Sequence, residues 1–158
     1  MHGANRTGRP FTGDHAGILL YATLHSFGFA SQPEATDPDD GLRLINCRIT
    51  NAVKCLPPDN KPVGAEINSC NDYLANELET LPDGALVLAL GGIAHRAVVK
   101  ALGVRQADVP FAHGALHEAG ALRLLDCYHC SRYNTNTGRL TPAMFEAVFA
   151  RARELLDK

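Results

Sequence analysis

Apolar residues recur along the chain at two periods, and the switches between them outline its elements. Leu20, Leu24 and Phe27 share one helical face, with Asp14 placed as a cap and Gly28 as a stop, so the spacing predicts a helix over residues 14–27. A second helix is predicted after Pro62, over about residues 64–80, with Ile67, Cys70, Leu74 and Leu78 on one side. A third carries Ala94, Ala97, Val98, Ala101 and Leu102 and stops at Gly103. Thr141 and Pro142, a capping residue followed by proline at the first helical position, predict a fourth with Met144, Val148, Ala152 and Leu155 inward. Between these, residues 44–53 read as a strand that fades into Cys55-Leu56-Pro57-Pro58. The continuous apolar run 85–90 is expected of a strand buried on both faces. Residues 111–116 and 121–128 read as two strands around Gly120.

Helix and strand alternate, which argues an α/β fold with a mainly parallel sheet and helices on both faces. The glycine-rich opening, residues 1–13, feeds the first helix with no strand before it. Ligand loops of open α/β sheets leave the carboxyl ends of strands, so a first strand is expected that the sequence does not contain. The composition is that of one globular domain: 158 residues, 46% hydrophobic and 20% charged, too apolar and too weakly charged for disorder. No apolar stretch approaches the roughly 20 residues that a bilayer requires, and residues 1–9 do not form a secretory signal. The net charge of -2 gives no global pull toward nucleic acid. Five cysteines without a secretory signal point to a reducing, cytoplasmic setting.

Several segments carry candidate chemistry. Residues 3–10 have the Gly-x4-Gly spacing of a phosphate loop, but Arg9 and Pro10 stand where lysine and a magnesium-binding hydroxyl are needed. Cys127 and Cys130 form a Cys-x-x-Cys at a strand end, open to a metal or redox reading, yet on a strand they point to opposite faces. Phe11, in a glycine-rich loop, offers either a core plug or a flat face for a base. Asn51 and Asn60 flank a turn, where asparagine is common, and their amides also match the edge of a base. The run 129–141 holds no aliphatic residue before Leu140 and suits phosphate contact, with Ser131, Arg132, Asn134 and Arg139 as donors.

Three long stretches, residues 2–14, 49–62 and 128–141, resemble in order and spacing the three motif regions of family 5 uracil-DNA glycosylases, the UDGb type. The resemblance implies a three-layer α/β/α domain over residues 1–158 with a nominally four-stranded, mainly parallel sheet. It implies base flipping and hydrolysis of the N-glycosidic bond of uracil in base excision repair, with uracil-containing DNA as partner. Phe11 matches the aromatic that stacks on the flipped base, and Asp14 and Asn60 match polar residues implicated in catalysis. His129 matches the histidine that contacts uracil O2, and Arg6 lies in the first motif as a DNA contact. Cys55 and Cys70 match two of the four ligands of a 4Fe–4S cluster, whereas Cys127 and Cys130 match none. The family's segment before His2, with a first strand and two further cluster cysteines, is absent, so the domain is expected to be truncated and to hold a cluster poorly. Asn51 stands where many family 5 members carry a small residue and family 4 enzymes carry asparagine, which is expected to sharpen the preference for uracil.

On this resemblance a donor from His129 would stabilise the charge that develops on uracil O2. Asp14 or Asn60 would position water. A monomer is expected. Two competing readings are a homologue that binds DNA without cutting it and a small cysteine-based metal or redox module.

Overall fold

The computed structural model describes residues 10–52 and 64–157, with residues 64–70 in backbone only. The elements are α1 (His15–Ser26), α2 (Gly64–Glu79), β1 (Leu86–Leu90), α3 (Gly92–Ala101), a 3-10 turn (Gln106–Asp108), β2 (Leu116–Ala119), β3 (Leu122–Cys127), α4 (Arg132–Asn136) and α5 (Pro142–Leu156). They gather into two compact units, one of Asn51–Tyr128 and one of Met1–Thr50 with His129–Lys158.

In Asn51–Tyr128, β3 is the central strand. It pairs parallel with β1, Leu86 opposite Arg123 and Leu90 opposite Cys127, and antiparallel with β2, Leu116 opposite Leu125 and Ala119 opposite Leu122. Successive β3 side chains point to opposite faces, and both Leu124 and Leu125 are fully buried, so each face of the strand is covered. Helix α3 packs on β1, and α2 packs on α3. The core joins Leu74 and Leu78 of α2, Ala97 and Val98 of α3, and Leu122 and Leu124 of β3. The turn from β1 into α3 uses Gly91 at φ 96, whose N–H donates to the Cys127 carbonyl at 2.7 Å. That conformation is readily available only to glycine.

The α/β class is as expected, with one parallel and one antiparallel pair among the described strands. Three local expectations are corrected. Residues 44–52 form no strand: Leu44 makes a single bridge to Ala30, and Asn46, at φ 56, breaks the extended run two residues later. The strand expected at 111–116 begins only at Leu116, because Gly114, at φ 81, turns the chain and donates to the Asp126 carbonyl at 2.8 Å. The run expected to be buried on both faces is only partly so: Ala89 alone of the five β1 residues is buried, and β1 is the outer strand of this sheet order.

In the other unit α1 packs against α5. Leu20, Tyr21 and Leu24 of α1 are buried, as are Phe145, Val148, Phe149 and Ala152 of α5. The rings of Phe27 and Phe149 stack at 6.4 Å, and the Arg153 guanidinium lies 4.9 Å over the Phe29 ring. Thr141 caps α5 as expected, its hydroxyl accepting from the Met144 N–H at 3.2 Å. Val148 and Ala152 lie on the inner face of α5 as expected, joined there by Phe145 and Phe149, while Met144 and Leu155 are only half-buried. Among the described residues no helix is long and apolar enough to cross a membrane.

Candidate functional site

The loop that enters α1 is held by backbone contacts. Tyr21, fully buried in α1, donates its hydroxyl to the Pro10 carbonyl at 2.7 Å. Thr12 is buried, and the Gly13 N–H donates to the Ala35 carbonyl at 3.0 Å. Between them Phe11 adopts φ 63, a left-handed conformation that a side chain other than glycine's rarely takes. Its ring is half-buried rather than sunk in the core, and it lies 5.8 Å from the His129 ring, tilted by 47°. Asp14 occupies the N-cap position of α1 in extended conformation, but its side chain makes no capping hydrogen bond. Its carbonyl accepts from the Gly17 N–H at 3.1 Å.

His129 follows β3 by two residues and is held from the other side by α4. The Asn134 side-chain amide donates to the His129 carbonyl at 2.9 Å, and the Ser131 hydroxyl caps α4 by accepting from the Asn134 N–H at 3.2 Å. Burial pushes the His129 ring below the ordinary histidine range, because the charged form loses its water. At neutral pH the ring is therefore an uncharged imidazole with one N–H to donate. Residues 129–141, read from sequence as a loop, thus contain a short helix. Arg132 and Arg139 are exposed, and Tyr133 beside Arg132 is 73% exposed. Sequence reasoning passed over Tyr133, although an aromatic in an otherwise polar run was the available signal.

The structure thus brings Phe11 and His129 together and sets Asp14 three residues beyond Phe11, with Ser131 and Asn134 engaged around His129. Asn51 is exposed in irregular chain. Arg6, Cys55 and Asn60 lie outside the described residues, and Cys70 is placed on α2 by its backbone alone. The other cysteines do not form a ligand set: Cys47, Cys127 and Cys130 are thiols, Cys127 and Cys130 are buried, and burial pushes the Cys130 thiol up to about 12. A buried thiol of that kind is a poor source of thiolate for metal or redox chemistry.

One buried polar cluster was not read from sequence. His95 of α3, His117 of β2 and Asp126 of β3 converge, the single group of three or more potential ligand residues among the described residues. Asp126 is fully buried; its Oδ1 lies 2.7 Å from His95 Nδ1 and its Oδ2 lies 3.0 Å from His117 Nε2. The second ring nitrogen of His95, Nε2, is 2.7 Å from the Val109 carbonyl, and the Ala112 N–H reaches Oδ2 at 3.4 Å. The signal was an aspartate inside an apolar strand.

Comparison with known proteins identifies the family. Residues 1–153 match the family model described as the uracil DNA glycosylase superfamily. A type-5 uracil-DNA glycosylase of Thermus thermophilus is 47% identical over 98% of this chain and 70% of its own length. One of Mycobacterium bovis is 45% identical over 98% of this chain and 59% of its own, and one of Pyrobaculum aerophilum 43% identical over 96% and 66%. This chain therefore spans about 59% to 70% of the length of these curated relatives. With a family model matching nearly its whole length and relatives this similar, the chain belongs to the type-5 group of the uracil DNA glycosylase superfamily.

Proposed function

We propose that this chain excises uracil from DNA by hydrolysing the N-glycosidic bond of a flipped nucleotide, the entry step of base excision repair. The observation that carries the reading is the 5.8 Å approach of the Phe11 and His129 rings at the mouth of α1, beside Asp14. One ring is suited to stack on a base and the other to donate to its edge.

A base must leave the stack before it can be cut, at a cost of a few kcal/mol. Stacking on Phe11 offsets part of that cost. As the bond breaks, negative charge gathers on the base and positive charge on the sugar. An uncharged His129, held by Asn134, gives an N–H whose hydrogen bond to uracil O2 strengthens as the charge develops. It does so without a proton transfer. The Asp14 carboxylate suits the other half of the charge separation, favouring the cationic sugar and orienting a water toward it, a task Asn60 shares in this reading. Exposed Arg132 and Arg139 suit the phosphates, and exposed Tyr133 suits a wedge in the gap left by the flipped nucleotide. Asn51 in this reading pairs with the uracil edge.

Cys55 and Cys70 are proposed as two thiolates of a structural 4Fe–4S cluster. No step of the reaction runs through it.

The test is excision by this chain from a duplex bearing one uracil, scored as alkali-labile sites, with His129→Ala beside it. Cleavage by the wild type and its loss in the variant are expected. Uracil-dependent binding without cleavage would favour a DNA-binding homologue instead.

A further inference from the structure

Gly17 is the third residue of α1, in its first turn, and a glycine within a helix calls for a reason. The reason lies in the entry loop. A Cβ on Gly17 would fall 1.8 Å from the Phe11 carbonyl oxygen and 2.9 Å from its carbonyl carbon, so the backbone of Phe11 rests directly on the helix. Tyr21 is one turn further along the same face, and its hydroxyl holds the Pro10 carbonyl at 2.7 Å. Two residues of one helical stripe thus grip two successive carbonyls of the loop. The residue flanked by those two carbonyls, Phe11, is the one at φ 63. A left-handed backbone at a phenylalanine persists only where its surroundings over-determine it.

We infer that Gly17 and Tyr21 are positioning residues for base recognition: they fix the Phe11 backbone in the conformation that turns its ring toward His129. This rests on the reading of Phe11 as the residue that stacks on the flipped base. Gly17 supplies the space, Tyr21 the tether, and neither touches the base. An alanine at 17 forces the Phe11 carbonyl off the helix, and the ring moves with it.

The experiment measures affinity for duplexes carrying either 2′-fluoro-2′-deoxyuridine, whose glycosidic bond resists hydrolysis, or thymidine at one site. The ratio of the two affinities reports base engagement independently of turnover. Gly17→Ala is expected to lower that ratio about as far as Phe11→Ala does, on the order of tenfold, with thymidine-duplex affinity unchanged. Added to Phe11→Ala, it should lower the ratio no further, because its effect passes through that ring. Tyr21→Phe keeps the buried ring, loses the tether, and should lower the ratio a few-fold; it also carries the test should the alanine variant not fold. Helix propensity alone has the opposite sign, since alanine at 17 would then stabilise the protein. A wild-type ratio in the Gly17→Ala and Tyr21→Phe variants, with Phe11→Ala impaired, overturns the positioning role and leaves the stacking role standing. Additive losses in the double variant also overturn it. Indifference of the ratio to Phe11→Ala, or no uracil preference in the wild type, overturns the stacking reading and the positioning role together.

Discussion

Asparagine and alanine at position 126 should have very different consequences for stability, because of how protons are shared in the buried cluster. His95 Nε2 faces the Val109 carbonyl at 2.7 Å, and a carbonyl only accepts, so Nε2 carries the hydrogen. His95 Nδ1 then meets Asp126 Oδ1 at 2.7 Å, a contact that requires one further proton on either atom. Oδ2 meanwhile accepts from His117 Nε2 at 3.0 Å and from the Ala112 N–H at 3.4 Å. An asparagine amide turned toward His95 would donate to the Nδ1 lone pair, and its oxygen would keep the other two donors. Every group would remain paired, with no extra proton. Alanine would strand His95 Nδ1 in the interior and take the acceptor from Nε2 of half-buried His117. The loss expected for Asp126→Ala is that of a broken buried pair, about 3–5 kcal/mol. The Asp126→Asn loss should stay within about 1 kcal/mol. With a urea slope of about 2 kcal/mol/M, alanine lowers the unfolding midpoint by roughly 2 M and asparagine by at most about 0.5 M. Urea unfolding followed by circular dichroism reads both. An asparagine variant as unstable as the alanine one would refute this proton accounting.

Two further outcomes concern His129. Burial holds its folded ring below the ordinary value of 6.5, so just under pH 6.5 the unfolded chain binds more protons than the folded one. Stability from this group therefore falls as the pH drops from 6.5 toward the depressed folded value, and excision that needs a neutral ring keeps its rate at pH 6.5. An acid limb of the kcat profile centred at or above 6.5 that disappears in His129→Asn would contradict it. Asn134→Ala removes the 2.9 Å bond to the His129 carbonyl, worth about 1 kcal/mol, and should cut kcat about five- to tenfold while sparing KM. A rise in KM with kcat intact would show that Asn134 serves DNA binding instead.

Much of the helical framework was legible. Gly28 and Gly103, at φ 82 and 71, stand at the helix ends that glycine predicts, and Thr141 caps α5 through its hydroxyl. Apolar periodicity located α1, α2, α3 and α5 because their buried faces repeat within a few residues. Residues 44–53 misled because extended propensity alone does not make a strand without a partner edge, and Asn46 in the left-handed region shortens the run. Helix α4 is one turn held by the Ser131 cap, too short to show a period. The candidate site was legible only in part. Motifs marked Phe11, Asp14 and His129, but no local pattern relates Phe11 to His129, 118 residues apart in the numbering. The cluster of His95, His117 and Asp126 is likewise assembled by the pairing of β2 with β3 and by α3, none of which a sequence window contains. Gly17 was readable as an anomaly, a glycine inside a helix, but its neighbour was not.

The placement of three cysteines, Cys127 and Cys130 buried and Cys47 half-buried, also decides how the protein meets electrophiles. Alkylating reagents attack the thiolate. Cys130 is pushed up to about 12, burial raises Cys47 as well, and Cys127 is sealed within β3. All three should be slow to label in the folded chain. Carbamidomethylation of the native protein would then register chiefly the state of Cys55 and Cys70, and the chain carries its own quiet background for footprinting whatever those two sulfurs hold.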